Sequence, residues 1–90
     1  MYSKPDVISQ NIRKKKAIAR KKFNLPSPGK VKPENKVEYY HQSDRLNEIL
    51  LQIETCEELM TPLSENDVKN LCNMEIPQIR AYCKRVKFAS

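Results

Sequence analysis

Leu46, Ile49, Ile53, Cys56 and Met60 follow one another at intervals of three, four, three and four residues, and Leu50 and Leu59 widen the stripe. This is the spacing of one apolar helix face. With Ser43 as N-cap it predicts a helix over 43–60, closed by Pro62. Ser64 and Asp67 have the three-residue spacing of a capping box and open a short helix to about Cys72. Asn73 suits the left-handed conformation that stops a helix, and Pro77 suits the first turn of a last helix running to about Phe88. Upstream, Ile8, Ile12, Ala19 and Phe23 share one narrow face of a helix over about 4–23, interrupted by Lys15 and Lys16. Ser3 is placed to cap that helix, with Pro5 in its first turn and Asp6 at capping-box distance. Between them, the stretch NLPSPGKVKPENK (24–36) holds Pro26, Pro28, Pro33 and the lone Gly29, which predicts an extended, semi-rigid spacer.

The pattern describes an all-α chain: a basic helical arm (1–23), a Pro-rich linker (24–42) and a small three-helix domain (43–90). That domain is close to the size, about 40 residues, below which isolated folds need help. Its candidate core is Leu46, Ile49, Leu50, Ile53, Leu59, Leu63, Val68, Leu71, Met74, Ile76, Ile79, Tyr82, Val86 and Phe88. The 46–60 stripe packs either on this core or, through Leu46, Ile49, Ile53, Cys56 and Met60, against a second copy or another protein. Helix 4–23 is a further candidate to complete the core in cis through Ile8, Ile12 and Phe23.

Charge changes the picture more than hydrophobicity does. The net charge is +6 and the isoelectric point about 9.3, and the distribution is uneven. Residues 1–40 carry eleven Lys/Arg against three acids, 41–75 two against eight, and 76–90 four against none. In NIRKKKAIARKKF (11–23), seven of thirteen residues are cationic. A helix so charged repels itself and is mostly unfolded alone in water; phosphates would remove the repulsion and order it. Arg13, Lys14, Lys15, Lys16, Arg20, Lys21 and Lys22 are therefore candidate nucleic-acid contacts, gripping phosphates or a minor groove. On the last helix, Arg80, Lys84, Arg85 and Lys87 also suit an ordinary solvated face and a helix C-terminus on electrostatic grounds alone.

The last two helices resemble the helix-turn-helix superfamily. Val68 and Cys72 stand at its first-helix apolar positions, Asn73 at its turn, Met74 just after it, and Ile79 and Tyr82 at its inward positions on the second helix. Lys69 replaces the usual small residue, and Asn73 the usual glycine. The resemblance covers only about residues 64–88 and is a burial pattern shared by many three-helix packings. It implies a recognition helix that presents Gln78, Arg80, Ala81 and Lys84 outward, with Arg85 and Lys87 further along. Arg80 would then suit guanine and Gln78 adenine.

The function expected from these features is non-catalytic nucleic-acid binding, DNA before RNA, as in a small transcriptional regulator. Two alternatives stand beside it. Residues 10–23 resemble the arginine-rich helices that enter RNA grooves, although lysine dominates here and reads bases less specifically. A protein–protein adaptor or inhibitor would instead use the acidic-faced helix 43–60, with the basic arm as a localisation signal.

Other classes fit poorly. No nucleophile–base pair stands out, one glycine cannot build a phosphate loop, and no cofactor is indicated. Cys56, Cys72 and Cys83 have neither a disulfide nor a metal-pair spacing, and His41 is the single histidine, so the cysteines read as reduced thiols and the expected location is intracellular: cytoplasmic, or nuclear in a eukaryote. No stretch approaches the roughly 18 apolar residues of a membrane span.

Overall fold

The computed structural model describes residues 4–88, with side chains from Ile8 to Phe88. The helices are α1 (Lys4–Phe23), α2 (Lys36–Glu58), α3 (Glu65–Leu71) and α4 (Ile76–Phe88). Among the described residues there is no strand, and the all-α expectation holds. The expected Ser3–Asp6 capping box lies outside the described residues.

α2 is the central element. α1 packs on it antiparallel: Lys15 and Lys16 meet Glu57 and Glu54 near one end, and the Phe23 ring lies 5.2 Å from the Arg45 guanidinium carbon near the other. α4 runs parallel to α2 on another flank, with His41 paired to Glu75 and, further along, Glu48 to Arg80. α3 packs mainly against α1 and also touches α2. Every helix contributes to one core: Ala19 from α1, Ile49, Ile53 and Cys56 from α2, Val68 and Leu71 from α3, Ile79 and Cys83 from α4, and Leu63 from the preceding loop. Each aliphatic side chain of that size contributes about 1.5–3 kcal/mol on burial.

The stripe from Leu46 to Cys56 is used within the chain. Ile49, Ile53 and Cys56 are fully buried and Leu46 is half-buried against them. α1 docks in cis through Ala19, Ile12, Ile18 and Phe23. Ile8, expected on the same face, is exposed, because α1 meets the last turn of α2 at Lys15 and Ile8 lies about 10 Å further along the axis. Leu59 and Phe88, expected in the core, are exposed because each sits at the end of its helix.

α2 starts at Lys36, seven residues before Ser43, and ends at Glu58. Local caps marked the wrong start. In the added stretch 36–42, His41 meets Glu75 across to α4 and Gln42 accepts from Arg45, which in turn reaches the α3–α4 turn. The spacer is also not simply extended. It makes two 3-10 turns, Pro28–Lys30 and Pro33–Asn35, and Leu25, Pro26 and Val31 line a groove against Tyr39 and Gln42 of α2.

Left-handed residues occur at Asn24 (φ 46°) and Met60 (φ 62°), not at Asn73. Asn24 closes α1 with its N–H donating to the Arg20 carbonyl at 2.8 Å. Met60 occupies the chain reversal just past α2, where Thr61 N donates to Cys56 O at 2.9 Å and Met60 N to Glu57 O at 3.1 Å, a Schellman closure. The side chains of Leu59 and Met60 consequently leave the stripe.

α3 does open with the expected capping box: Asp67 N donates to Ser64 Oγ at 3.1 Å and Ser64 N to Asp67 Oδ2 at 3.0 Å. Its exit needs no left-handed residue. Asn73 N donates to Asn70 O and Met74 N to Leu71 O, both at 3.0 Å, which tightens the last turn. Arg45 then takes up two further carbonyls of the turn, Nη2 donating to Cys72 O and Nε to Met74 O, both at 2.8 Å.

Candidate nucleic-acid interface

The twelve residues singled out as nucleic-acid contacts separate into two groups. Lys15 and Lys16 point inward. Lys15 is ion-paired with Glu57, the side chains being 14% and 7% exposed, and Lys16 is paired with Glu54. The interruptions in the apolar face of α1 are therefore the residues that fasten it to α2, and part of the neutralisation expected from phosphates is done within the chain. Arg13, Lys14, Arg20, Lys21 and Lys22 stay exposed. Among the described residues none of these five has an ion-pair partner.

On α4, Gln78, Arg80, Ala81, Lys84 and Arg85 are exposed as the motif resemblance requires, and Val68 and Ile79 are fully buried. Cys72, Met74 and Tyr82 are partly buried. Two of the expected base readers already have structural roles. Gln78 Oε1 accepts from Glu75 N at 3.0 Å, reaching back to cap the start of α4. Arg80 Nη2 lies 3.3 Å from Glu48 Oε1, yet Arg80 remains 68% exposed. An ion pair that open is worth at most about 1 kcal/mol, so it does not hold Arg80 away from a ligand. Lys87 is partly buried and close enough to Cys56 and Cys83 to favour their thiolates slightly, against the dominant effect of burial.

Part of the acidic middle of the chain is engaged by the fold, while Asp44, Glu58 and Glu65 stay exposed without an ion pair among the described residues. Glu48 also accepts from Gln52 Nε2 at 2.8 Å, Glu75 meets His41 Nε2 at 2.8 Å, and Asp67 accepts from the Tyr82 hydroxyl. That hydrogen bond holds the Asp67 carboxyl below the usual carboxylate range and, with burial, pushes the Tyr82 phenol up.

Two contributors were not visible from pattern alone. Arg45, 9% exposed, organises the α3–α4 turn from α2. Lys69, noted only as a departure from the helix-turn-helix pattern, lines an open cleft with Ile18, Lys21 and Lys22. Lys22 also borders a second cleft, with Phe23, Arg45, Cys72 and Asn73, at the turn. Past the turn, Met74, Gln78, Ala81, Tyr82 and Arg85 line a shallow groove. Lys22 is common to the first two clefts, so cationic and amide side chains follow one another from the end of α1 to the α3–α4 turn.

Cys56 and Cys83 are buried and Cys72 partly buried, all as free thiols. Burial pushes Cys83 up to about 12 and raises the other two. Such thiols are poor nucleophiles. Among the described residues no group of three His, Cys, Asp or Glu side chains is placed to hold a metal ion, and no helix is long and apolar enough to cross a membrane.

Comparison with protein families, with curated proteins and with solved structures returned no match to this chain.

Proposed function

We propose that the chain is a non-catalytic nucleic-acid-binding protein that engages duplex DNA, α4 reading the groove and the outer face of α1 gripping the backbone. One observation carries the reading: the fold consumes Glu48, Glu54, Glu57 and Asp67 internally and leaves Arg13, Lys14, Arg20, Lys21, Lys84 and Arg85 exposed without ion-pair partners among the described residues. Uncompensated surface cations on two helices cost self-repulsion, which a polyphosphate relieves by releasing its own counterions. The amide and guanidinium groups at Gln78, Arg80 and Arg85 add base-reading chemistry next to a turn held rigid by Arg45.

Duplex DNA is favoured over an RNA groove because α1 is docked. Ala19 is fully buried and Lys15 and Lys16 are turned into the protein, so α1 offers one face to a ligand. An arginine-rich helix sunk in RNA is surrounded, and α1 would have to leave the core to be so.

The test is an electrophoretic shift series with duplex DNA and hairpin RNA at two salt concentrations. Removing residues 1–36 would take away part of the core, so charge reversal at Arg13, Lys14 and Arg20 replaces it. The reversal should weaken binding to every duplex and flatten the salt dependence. Arg80→Ala or Arg85→Ala should in addition relax base preference, at a cost of about 1–3 kcal/mol on a preferred site. Duplex affinity that does not change with salt would refute the proposal.

A further inference from the structure

The Lys69 departure is the most informative unassigned feature of the surface. In the helix-turn-helix pattern this position takes a small residue; here the fold turns Lys69 outward, into a cleft with Lys21, Lys22 and Ile18. Lys69 comes from α3, and the two other lysines come from the last turn of α1. Like charges placed together on separate helices gain nothing from each other. On the neighbouring elements Glu57 is committed to Lys15, Glu54 to Lys16, and Asp67 to Ser64 and Tyr82; Glu65, one helical turn before Lys69, is exposed and makes no ion pair with it. Among the described residues no ion pair involves Lys21, Lys22 or Lys69.

We infer that Lys21, Lys22 and Lys69 form a seat for a backbone phosphodiester of the bound nucleic acid, with the Ile18 side chain against the adjoining sugar. The inference deepens the reading above and rests on it. Lysine suits this role: its ammonium is a mobile point charge with three donors, matched to phosphate oxygens approached from varied directions and indifferent to sequence. The cleft, about 470 Å³, is open and far larger than a lone phosphate, as a through-running strand requires. Its place also gives it a purpose. Lys22 borders this cleft and the one at the α3–α4 turn, so a phosphate held here sets the height and register of α4 over the bases.

The experiment compares the full chain with Lys69→Ala, Lys69→Met and Lys14→Ala, measuring duplex affinity between about 50 and 200 mM salt alongside inorganic phosphate titrations followed by amide chemical shifts. Abolishing one phosphate neutralisation should lower the slope of log K against log salt by about 0.9, in both Lys69 variants and equally for duplexes of unrelated sequence. Ile18, Lys22 and Lys69 amides should shift with phosphate in the full chain, and the corresponding amides should not shift in the Lys69 variants. Lys14→Ala leaves these shifts intact, since Lys14 does not line the cleft. An unchanged slope in Lys69→Ala overturns the seat while the DNA-binding reading stands on the full chain's affinity. Phosphate shifts without duplex binding overturn both the phosphodiester assignment and the broader reading. Circular dichroism of each variant separates loss of binding from loss of fold.

Discussion

Arg45 gives the sharpest test of how the fold is held. Its guanidinium donates to Cys72 O and Met74 O at 2.8 Å and to Gln42 Oε1 at 2.7 Å, and stacks 5.2 Å above Phe23. It ties α1, α2 and the α3–α4 turn together in one side chain. Arg45→Met keeps an aliphatic stem against Phe23 and removes all three hydrogen bonds. Charge-assisted bonds run to about 1.5–3 kcal/mol each. The cleft beside Cys72 and Asn73 admits water to the freed carbonyls, so about 1 kcal/mol for each carbonyl bond is the better figure, and the bond to Gln42, within one helix, adds about 0.5 kcal/mol. The expected loss is about 2.5 kcal/mol. Arg45→Ala also loses the stem and the cation–π contact, raising the cost to about 4 kcal/mol. Arg45→Lys keeps the charge but can satisfy only part of the fork, at about 1.5 kcal/mol. Against a total stability of about 5–13 kcal/mol for a chain of this size, each step is measurable by urea denaturation followed by far-ultraviolet circular dichroism. In hydrogen exchange the amides of residues 73–75 should lose protection before those of α2. If Arg45→Met costs less than about 0.5 kcal/mol, the clamp is an ornament and the turn is held by its own 3-10 bonds.

Three further outcomes follow from the same structure. Met60 is 78% exposed at φ 62°, where a side chain costs about 1–2 kcal/mol and glycine little, so Met60→Gly should raise stability by about 0.5–1 kcal/mol in a thermal melt, whereas Met60→Val should lower it. The Asp67–Tyr82 hydrogen bond lowers one pKa and raises the other. Its contribution is complete above the ordinary carboxylate range near about pH 4 and below the ordinary phenol range near about pH 10. It fades as pH falls through the lowered Asp67 value or rises through the raised Tyr82 value, and Tyr82→Phe should flatten both limbs of a stability–pH profile. Thiol labelling at about pH 8 should modify Cys72 first, with Cys56 and Cys83 reacting only as the chain unfolds; labelling of Cys83 at the Cys72 rate would contradict its burial.

Where sequence reading succeeded, the signal was local or strictly periodic. The Ser64–Asp67 box is made by atoms three residues apart, and Ile49, Ile53 and Cys56 face inward at the spacing that announced them. Where it failed, the deciding partner was distant. In the first turns of α2, His41 meets Glu75, 34 residues on, and Gln42 is held by Arg45; at the exit of α3, Arg45 binds Cys72, 27 residues after it. A single strong cap-former such as Ser43 outweighs such partners in any local reading. The left-handed positions were exchanged for the same reason. Asn73 has the intrinsic preference, but carbonyls capped by Arg45 remove the need for it. Met60 lacks the preference, and the chain reversal after α2 imposes it.

The basic run shows why composition alone could not delimit the interface. On a helix, residues about 100° apart in projection have different fates, so a block of seven cations cannot all meet one ligand. Lys15 and Lys16 lie towards Glu57 and Glu54, next to the buried Ala19; Arg13, Lys14, Arg20 and Lys21 lie away from them. The apolar residues scattered through the run set this division, because once Ala19, Ile12 and Phe23 face the core, the orientation of every lysine is determined. Burying Lys15 requires a buried acid, and Glu57 supplies it; substituting either partner alone leaves the other charge stranded, which costs more than the pair contributes. The acidic centre of the chain therefore neutralises the inward-facing cations of the basic helix, through Glu57 and Glu54, and leaves Arg13, Lys14, Arg20 and Lys21 without an ion pair among the described residues.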